Sequence, residues 1–351
     1  MYHVKTMNKI SKIGLAELDD RFEISDTMEH EDAILVRSAK LHDYDFPAEL
    51  LCIARAGAGV NNIPLDRAAE AGIVVFNTPG ANANGVKELT IAALLLASRK
   101  ISQGITWVKE QAAAGADVAA VVEKGKAAYV GPEIQGKTLG VVGLGAIGVL
   151  VANAAAALGM QIVGYDPFLS VQHALNLTPG VKVVSTLEEL YGQADYISLH
   201  LPMTPETKGT LNDAAFAAMK DGVRIVNLAR GELVDTEALK AALASGKCAA
   251  YVTDFPNSET AAMEGVVAIP HLGASTPESE DNCAMMAARQ VRDYLDNGNI
   301  VNSVNLPVLS MAWAAKNRVC VLTKGADAAA IAAAVPAVAS ASKTRGEYGY
   351  F

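Results

Sequence analysis

The stretch from Thr138 to Gly148, TLGVVGLGAIG, limits what this chain can fold into more than any other. A short apolar run (Leu139, Val141, Val142) enters a glycine cluster, Gly143-Leu144-Gly145-Ala146-Ile147-Gly148, and an alanine-rich helical pattern follows from Val149 to Leu158. This is G-x-G-x-x-G spacing in the strand–turn–helix setting that gives the motif a mechanism. Gly143 permits the tight turn, Gly145 lets the backbone approach a pyrophosphate, and Gly148 lets the helix pack close to the strand. The helix N-terminus adds amide donors and a partial positive charge. A second apolar run, Gln161 to Tyr165, ends in Asp166. An acid about 20 residues beyond the glycines accepts the adenosine ribose hydroxyls of NAD. Pro167-Phe168-Leu169 follow, with no arginine to receive a 2′-phosphate, so NAD is expected rather than NADP.

Around this unit the chain alternates strand and helix signals. Short apolar runs at Ala33–Val36, Leu51–Ala54 and Ile73–Phe76 precede it, with a helical stretch at Pro64–Ala71. Further strands are expected at 181–184, 196–199, 224–227 and 249–253. Apolar runs without strict alternation indicate parallel strands covered on both faces, and the repeated βα order indicates a doubly wound sheet. From Val86 a long helical pattern runs toward an alanine- and charge-rich arm at 107–126, which puts a first domain boundary near Lys100. A last long helix, 278–297, returns the chain to the first domain. The expected division is a first α/β domain at 1–100 completed by 278–305, a nucleotide domain at 101–277, and a separate piece at 306–351.

With 351 residues the chain can bury two cores. Its formal charge of −9 argues against a nucleic-acid or anionic-membrane surface, so any anionic ligand must be held by local positive charge. Cys52, Cys248, Cys283 and Cys320 are scattered, with no C-x-x-C pair and no metal-ligand spacing, as expected of reduced thiols in a cytoplasmic protein.

Ligands of open parallel sheets bind outside the carboxyl ends of the strands. The polar residues expected at those ends are Arg37, Arg55, Asn82, Asp166, His200, Arg230, Asp254 and His271. Hydride transfer to a nicotinamide needs a proton acceptor at the substrate hydroxyl and an anchor for an acid group. His200 in SLHLP and His271 in IPHLGAST both end strands of the nucleotide unit, and position alone does not separate them.

GLGAIG with GYDP, NLARGELVD, VTDFP with a following glutamate, and PHLGAST together resemble the D-isomer-specific 2-hydroxyacid dehydrogenase family. RAGAGVNNI, FNTPGANA and SVNLP resemble most its branch acting on D-3-phosphoglycerate. The resemblance covers about residues 33 to 310. It implies a Rossmann-type NAD domain beside a flavodoxin-like α/β substrate domain, and an arginine–glutamate–histidine catalytic set. Arg230 would grip the substrate carboxylate with its planar fork, and His271 would exchange the proton of the C2 hydroxyl. Glu259 would hold the imidazole, with Glu264 the competing acid. Resemblance adds Asp254, Ala146, Ile147, Leu201, Leu228 and Ala229 on the cofactor side. It adds Asn82 at the substrate, with Arg37 and Arg55 at its phosphate. The rival activities are those of another 2-hydroxyacid dehydrogenase, acting on glyoxylate, hydroxypyruvate or 2-oxoglutarate, and a non-enzymatic NADH-sensing scaffold.

Residues 318–351 resemble the first half of an ACT domain. Strands are expected at 318–323, 337–343 and 346–351, with a helix at 326–335. Half a module leaves an open sheet edge and an apolar face, so it must pack on its own body or against a second chain. The expectation is a small α+β remnant, structural or facing a homodimer partner, with no response to L-serine.

Overall fold

Ala33–Val36 and Tyr196–Leu199 are buried at every residue, as strands covered on both faces must be. In the computed structural model, which describes residues 1–335, 337 and 339–351, they are inner strands of two parallel sheets. The chain divides into two units, residues 1–82 with 276–351, and residues 83–275.

In the first unit the strands are β1 (Tyr2–Met7), β2 (Phe22–Ser25), β3 (Ala33–Val36), β4 (Cys52–Arg55) and β5 (Val74–Phe76). Their order is β2-β1-β3-β4-β5, all parallel, which is the flavodoxin-like order. One face is covered by a core containing Val4, Leu35, Phe76 and Ala287, the other by one containing Ile34, Ile53, Ile63 and Val75. The helix Pro277–Asn297 returns the chain to this sheet, as expected. Thr276 caps it by accepting from the Ser279 amide, and Gly298 ends it at φ 69°. No apolar run marks β1 and β2 in the sequence, because only Val4 and Phe22 are buried in them.

The second unit holds β6 (Thr138–Val142), β7 (Gln161–Tyr165), β8 (Lys182–Val183), β9 (Tyr196–Leu199), β10 (Val223–Asn227), β11 (Cys248–Thr253) and β12 (Val266–Ala268). The order is β12-β11-β10-β9-β6-β7-β8 and every pairing is parallel. Strand order reverses between β6 and β9, the switch point where doubly wound sheets bind ligands. Three-residue β12, at the edge, is the apolar run that leads to His271.

The first boundary falls after Asn82, not near Lys100, and the second after Ser275. The reason is packing. Ala93, Leu94 and Ala97 of the helix Ala83–Ser98 share a core with Leu139, Val141 and Val151, and Ser98 Oγ bonds the buried Tyr196 hydroxyl at 2.8 Å. The helical run then breaks at Arg99–Lys100. Two shorter helices, Ile101–Ala113 and Val118–Gly125, form the arm, and neither has a buried residue.

The C-terminal piece adds β13 (Leu322–Lys324), the helix Ala328–Ala334, β14 (Lys343–Arg345) and β15 (Tyr348–Tyr350), in an antiparallel sheet ordered β13-β15-β14. The strand expected at 337–343 begins only at Lys343, and Val338 within that stretch lies outside the described residues. Gly346 at φ 58° opens a two-residue hairpin loop that fixes Arg345 opposite Tyr348. The face this half-module buries lies on its own unit. Tyr350 sits in the first-unit core and donates to the Gly298 carbonyl at 2.6 Å, while Leu322 and Tyr348 pack beside it. Among the described residues no helix is long and apolar enough to cross a membrane.

Candidate active site

The glycine turn follows β6. Gly143 has φ 94°, and a Cβ there would lie 2.7 Å from the His200 carbonyl oxygen, so the position excludes a side chain twice over. At Gly148 a Cβ would stand 1.9 Å from the Gly143 carbonyl oxygen, so the close approach is to the turn itself. Gly145 has nothing within 4 Å of its Cβ position and caps the helix Ala146–Ala157 without a side-chain hydrogen bond. An open glycine ahead of the unpaired amides of Ala146, Ile147 and Gly148 is a cradle for a phosphate group. Asp166, at the end of β7, accepts from Leu144 N through Oδ2 and from Phe168 N through Oδ1, both at 2.8 Å. Those bonds aim its carboxylate at the turn. Leu201 borders Gly143, whereas Leu228 is buried in the core beneath.

The loops after β10, β11 and β12 leave the same edge of this sheet. Asn227, fully buried at the end of β10, donates to the Arg230 carbonyl at 2.8 Å and accepts from Ala229 N at 3.2 Å, so it shapes the loop that presents Arg230. Arg230 Nη1 donates to Ala229 O at 2.6 Å, and its guanidinium carbon lies 5.3 Å from the centre of the Phe255 ring. The exposed imidazole of His271 lies tilted at 47° against the same ring, with centroids 4.4 Å apart. Phe255 thus carries both groups, and nothing in the sequence singled it out. The only local signal was its place after Asp254 at a strand end.

Asp254 is 1 % exposed. Its Oδ2 accepts from Gly273 N at 3.1 Å, which ties the His271 loop to β11. Burial raises its carboxyl above the usual range, against the pull of the Gly273 amide and of His271. Its Oδ1 is buried with no partner among the described residues. An orphaned acceptor at this edge matches the amide N–H of a nicotinamide carboxamide. The open cradle, Asp166 and this oxygen together fit a dinucleotide.

His200 is a different kind of histidine. Its Nε2 is 2.9 Å from Ser198 Oγ, and burial pushes its pKa down to about 4, so it is neutral at pH 7. Its partly buried ring, bonded to a neighbouring hydroxyl, separates it from the exposed His271.

Glu259 is not brought to His271. Asn257 Oδ1 accepts from the amides of Glu259 and Thr260, opening the short helix Thr260–Ala262. From there the Glu259 carboxylate lies 3.4 Å from Lys240 Nζ. Exposed Glu264 is not on His271 either, and among the described residues neither acid bonds to it. The turn set by Asn257 directs the Glu259 side chain to Lys240.

In the first unit, Arg55 ends β4 and Arg37 follows the paired strand β3. Arg55 Nε donates to the Arg37 carbonyl at 3.1 Å, and its guanidinium lies over the turn at Gly57. Arg37 Nη2 pairs with Glu280 Oε1 at 2.7 Å, both side chains about two-fifths exposed. Asn82, partly buried, is the last residue of this unit's first segment.

A sheet with this switch point, this turn and these strand-end groups has known relatives. The D-isomer specific 2-hydroxyacid dehydrogenase NAD binding domain matches residues 91–273, just over half of the 351-residue chain. The chain belongs to that family. It is 40% identical over 299 residues to D-3-phosphoglycerate dehydrogenase of Mycobacterium leprae, covering 82% of this chain and 53% of the relative. With the enzyme of that name from Rattus norvegicus the identity is 38% over 291 residues, covering 80% and 52%. The chain thus spans about half the length of the curated relatives it matches. Among solved structures, NAD+-bound 3-phosphoglycerate dehydrogenase of Entamoeba histolytica aligns with a TM-score of 0.66 and 27% identity, covering 87% of this chain and 98% of that one. A glyoxylate reductase from Paecilomyes thermophila aligns at 0.71 with 28% identity, covering 86% and 98%.

Proposed function

We propose that the chain is an NAD-dependent D-3-phosphoglycerate dehydrogenase, oxidising 3-phospho-D-glycerate to 3-phosphohydroxypyruvate on the route to L-serine. The observation that carries this is the meeting of Arg230 and His271 on one ring, at the carboxyl edge of the sheet that bears the dinucleotide turn. The shared activity of the relatives supports the choice of substrate.

Arg230 binds the substrate carboxylate through its fork and polarises the oxygen on C2. His271 takes the proton from the C2 hydroxyl. NAD, when bound, supplies the acceptor for the hydride that leaves C2. Gly143, Gly145, Gly148, Ala146 and Ile147 would cradle its phosphates, Asp166 would hold its adenosine ribose and Asp254 its carboxamide, with Leu201 and Ala229 alongside. For Glu259 to hold the imidazole, its carboxylate must leave Lys240. Both partners of that pair are about half exposed, and such pairs contribute no more than about 1 kcal/mol, so the move costs little.

Arg55 and Arg37 take the substrate phosphate, with Asn82 nearby. A second reading, oxidation of an unphosphorylated 2-hydroxy acid, draws on the Arg37–Glu280 pair, which a phosphate must open. Replacing Arg55 or Arg37 by Gln separates the two. The proposal requires KM for 3-phosphoglycerate to rise far more than KM for an unphosphorylated 2-hydroxy acid; equal changes favour the second reading. We also infer a cytoplasmic homodimer. Four free thiols fit a reducing compartment. Ile101, Ile105 and Val108 give one face of the arm helix an exposed apolar stripe suited to a second copy.

A further inference from the structure

The chemistry proposed above uses nothing beyond Glu280, yet residues 298–351 of the first unit line an open cleft of about 540 Å3. That volume lies within the range of small-molecule sites. Its walls are largely apolar, with Leu309, Val319, Ile331, Val335 and Phe351 among them, and among the described residues no aspartate or glutamate lines it. In a chain with 38 acids against 29 lysines and arginines, that exclusion is notable because Arg318 and Lys316 do line it.

Arg318 is held firmly by neutral groups. Its guanidinium lies 4.9 Å from the centre of the Trp313 ring. Nη1 donates to the Asn297 carbonyl at 2.6 Å and to Asn299 Oδ1 at 3.1 Å, and Nη2 donates to the Met311 carbonyl. A guanidinium has five N–H donors. Among the described residues the other two, on Nε and Nη2, make no hydrogen bond, and no carboxylate pairs with this cation. Nε and Nη2 are the neighbouring nitrogens whose parallel N–H bonds take a carboxylate in two contacts. A rigid cation without a counter-ion, in a mostly apolar cleft, is matched by a ligand that brings the missing anion together with an apolar body.

We propose that this cleft binds a medium-chain aliphatic monocarboxylate, its carboxylate on Arg318 Nε and Nη2 and its chain among Leu309, Ile331 and Val335. L-serine has the carboxylate without the apolar body and is excluded by the same logic. The site is independent of the dehydrogenase reading, so failure of either leaves the other standing.

The test is isothermal titration of the full chain with octanoate, 1-octanol, acetate and L-serine. The proposal requires saturable binding of one octanoate per chain, with the other three at least about tenfold weaker. Arg318→Gln should weaken octanoate about ten- to a hundredfold, the loss expected for hydrogen bonds to a charged group. Ile331→Glu, which leaves Arg318 and its carbonyl partners in place, should do the same, so the outcome does not depend on Arg318→Gln folding. Absence of octanoate binding, unsaturable uptake at many sites, or unchanged affinity in Ile331→Glu overturns the proposal.

Discussion

Phe255→Ala isolates the arrangement on which the proposed chemistry rests. The ring carries the Arg230 guanidinium at 5.3 Å and the His271 imidazole at 4.4 Å. A cation over an aromatic face at a partly exposed site contributes about 0.5–1 kcal/mol, and an aromatic pair about 0.5–1.5 kcal/mol. Losing both therefore removes about 1–2.5 kcal/mol of orienting interaction, which is roughly a 5- to 70-fold fall in kcat/KM. Phe255 is not among the groups proposed to hold the cofactor, so NADH affinity measured by fluorescence should stay within about twofold. Phe255→Leu keeps most of the volume but no aromatic face and should fall between the two. A merely structural role would lower thermal stability and NADH binding together with rate. The reasoning is refuted if Phe255→Ala keeps its kcat/KM, or loses it only in proportion to stability and cofactor binding.

Three further perturbations test other parts of the account. Asp166→Ala should weaken NAD and narrow its kcat/KM advantage over NADP by about tenfold or more, because the acid both accepts ribose hydroxyl bonds and repels a 2′-phosphate; an unmodified enzyme indifferent between the cofactors would contradict this. For His200 the folded pKa of about 4 lies below the ordinary 6.5. The unfolded chain therefore binds more protons between those values, and stability is full above pH 6.5 and lost as pH falls toward 4. At pH 5 the loss amounts to about 2 kcal/mol; urea unfolding at pH 7.5 and pH 5 should show that difference shrinking in His200→Gln, and an equal difference in both proteins would sink the assignment. Glu259→Gln should lower kcat/KM by about tenfold or more with NADH binding retained, through loss of the carboxylate that orients His271; an unchanged kcat/KM would mean Glu259 serves Lys240 alone.

What the sequence made legible was local. The glycine turn, its strand and helix, and Asp166 are bound to one another within a single βαβ unit, and the structure reproduces that unit with Gly143 and Gly148 in the positions their missing side chains require. Strand-end placement also carried through, since Arg37, Arg55, Arg230, Asp254 and His271 all follow apolar runs that became parallel strands. What stayed hidden depended on tertiary contact. His200 and His271 look alike in sequence and differ only in what surrounds their rings. Phe255 gains its place from three loops meeting. The orientation of Glu259 follows from an Asn257 side chain capping a turn, which spacing cannot express. No apolar run marks β1 and β2 because each buries a single residue, and the domain boundary shifted because Leu94 and its neighbours found their core in the second unit rather than the first.

The central claim is the oxidation of a phosphorylated 2-hydroxy acid with NAD. Its most direct test is the initial rate of NADH formation by the purified chain across a panel of 3-phospho-D-glycerate, D-glycerate, glycolate, D-lactate and D-2-hydroxyglutarate, with Arg230→Lys and His271→Ala alongside. The account predicts the highest kcat/KM for 3-phospho-D-glycerate, and a fall on the order of 10²–10⁴-fold in His271→Ala with NADH binding retained. Bound NADH without turnover of any substrate, or turnover that His271→Ala leaves intact, would contradict it.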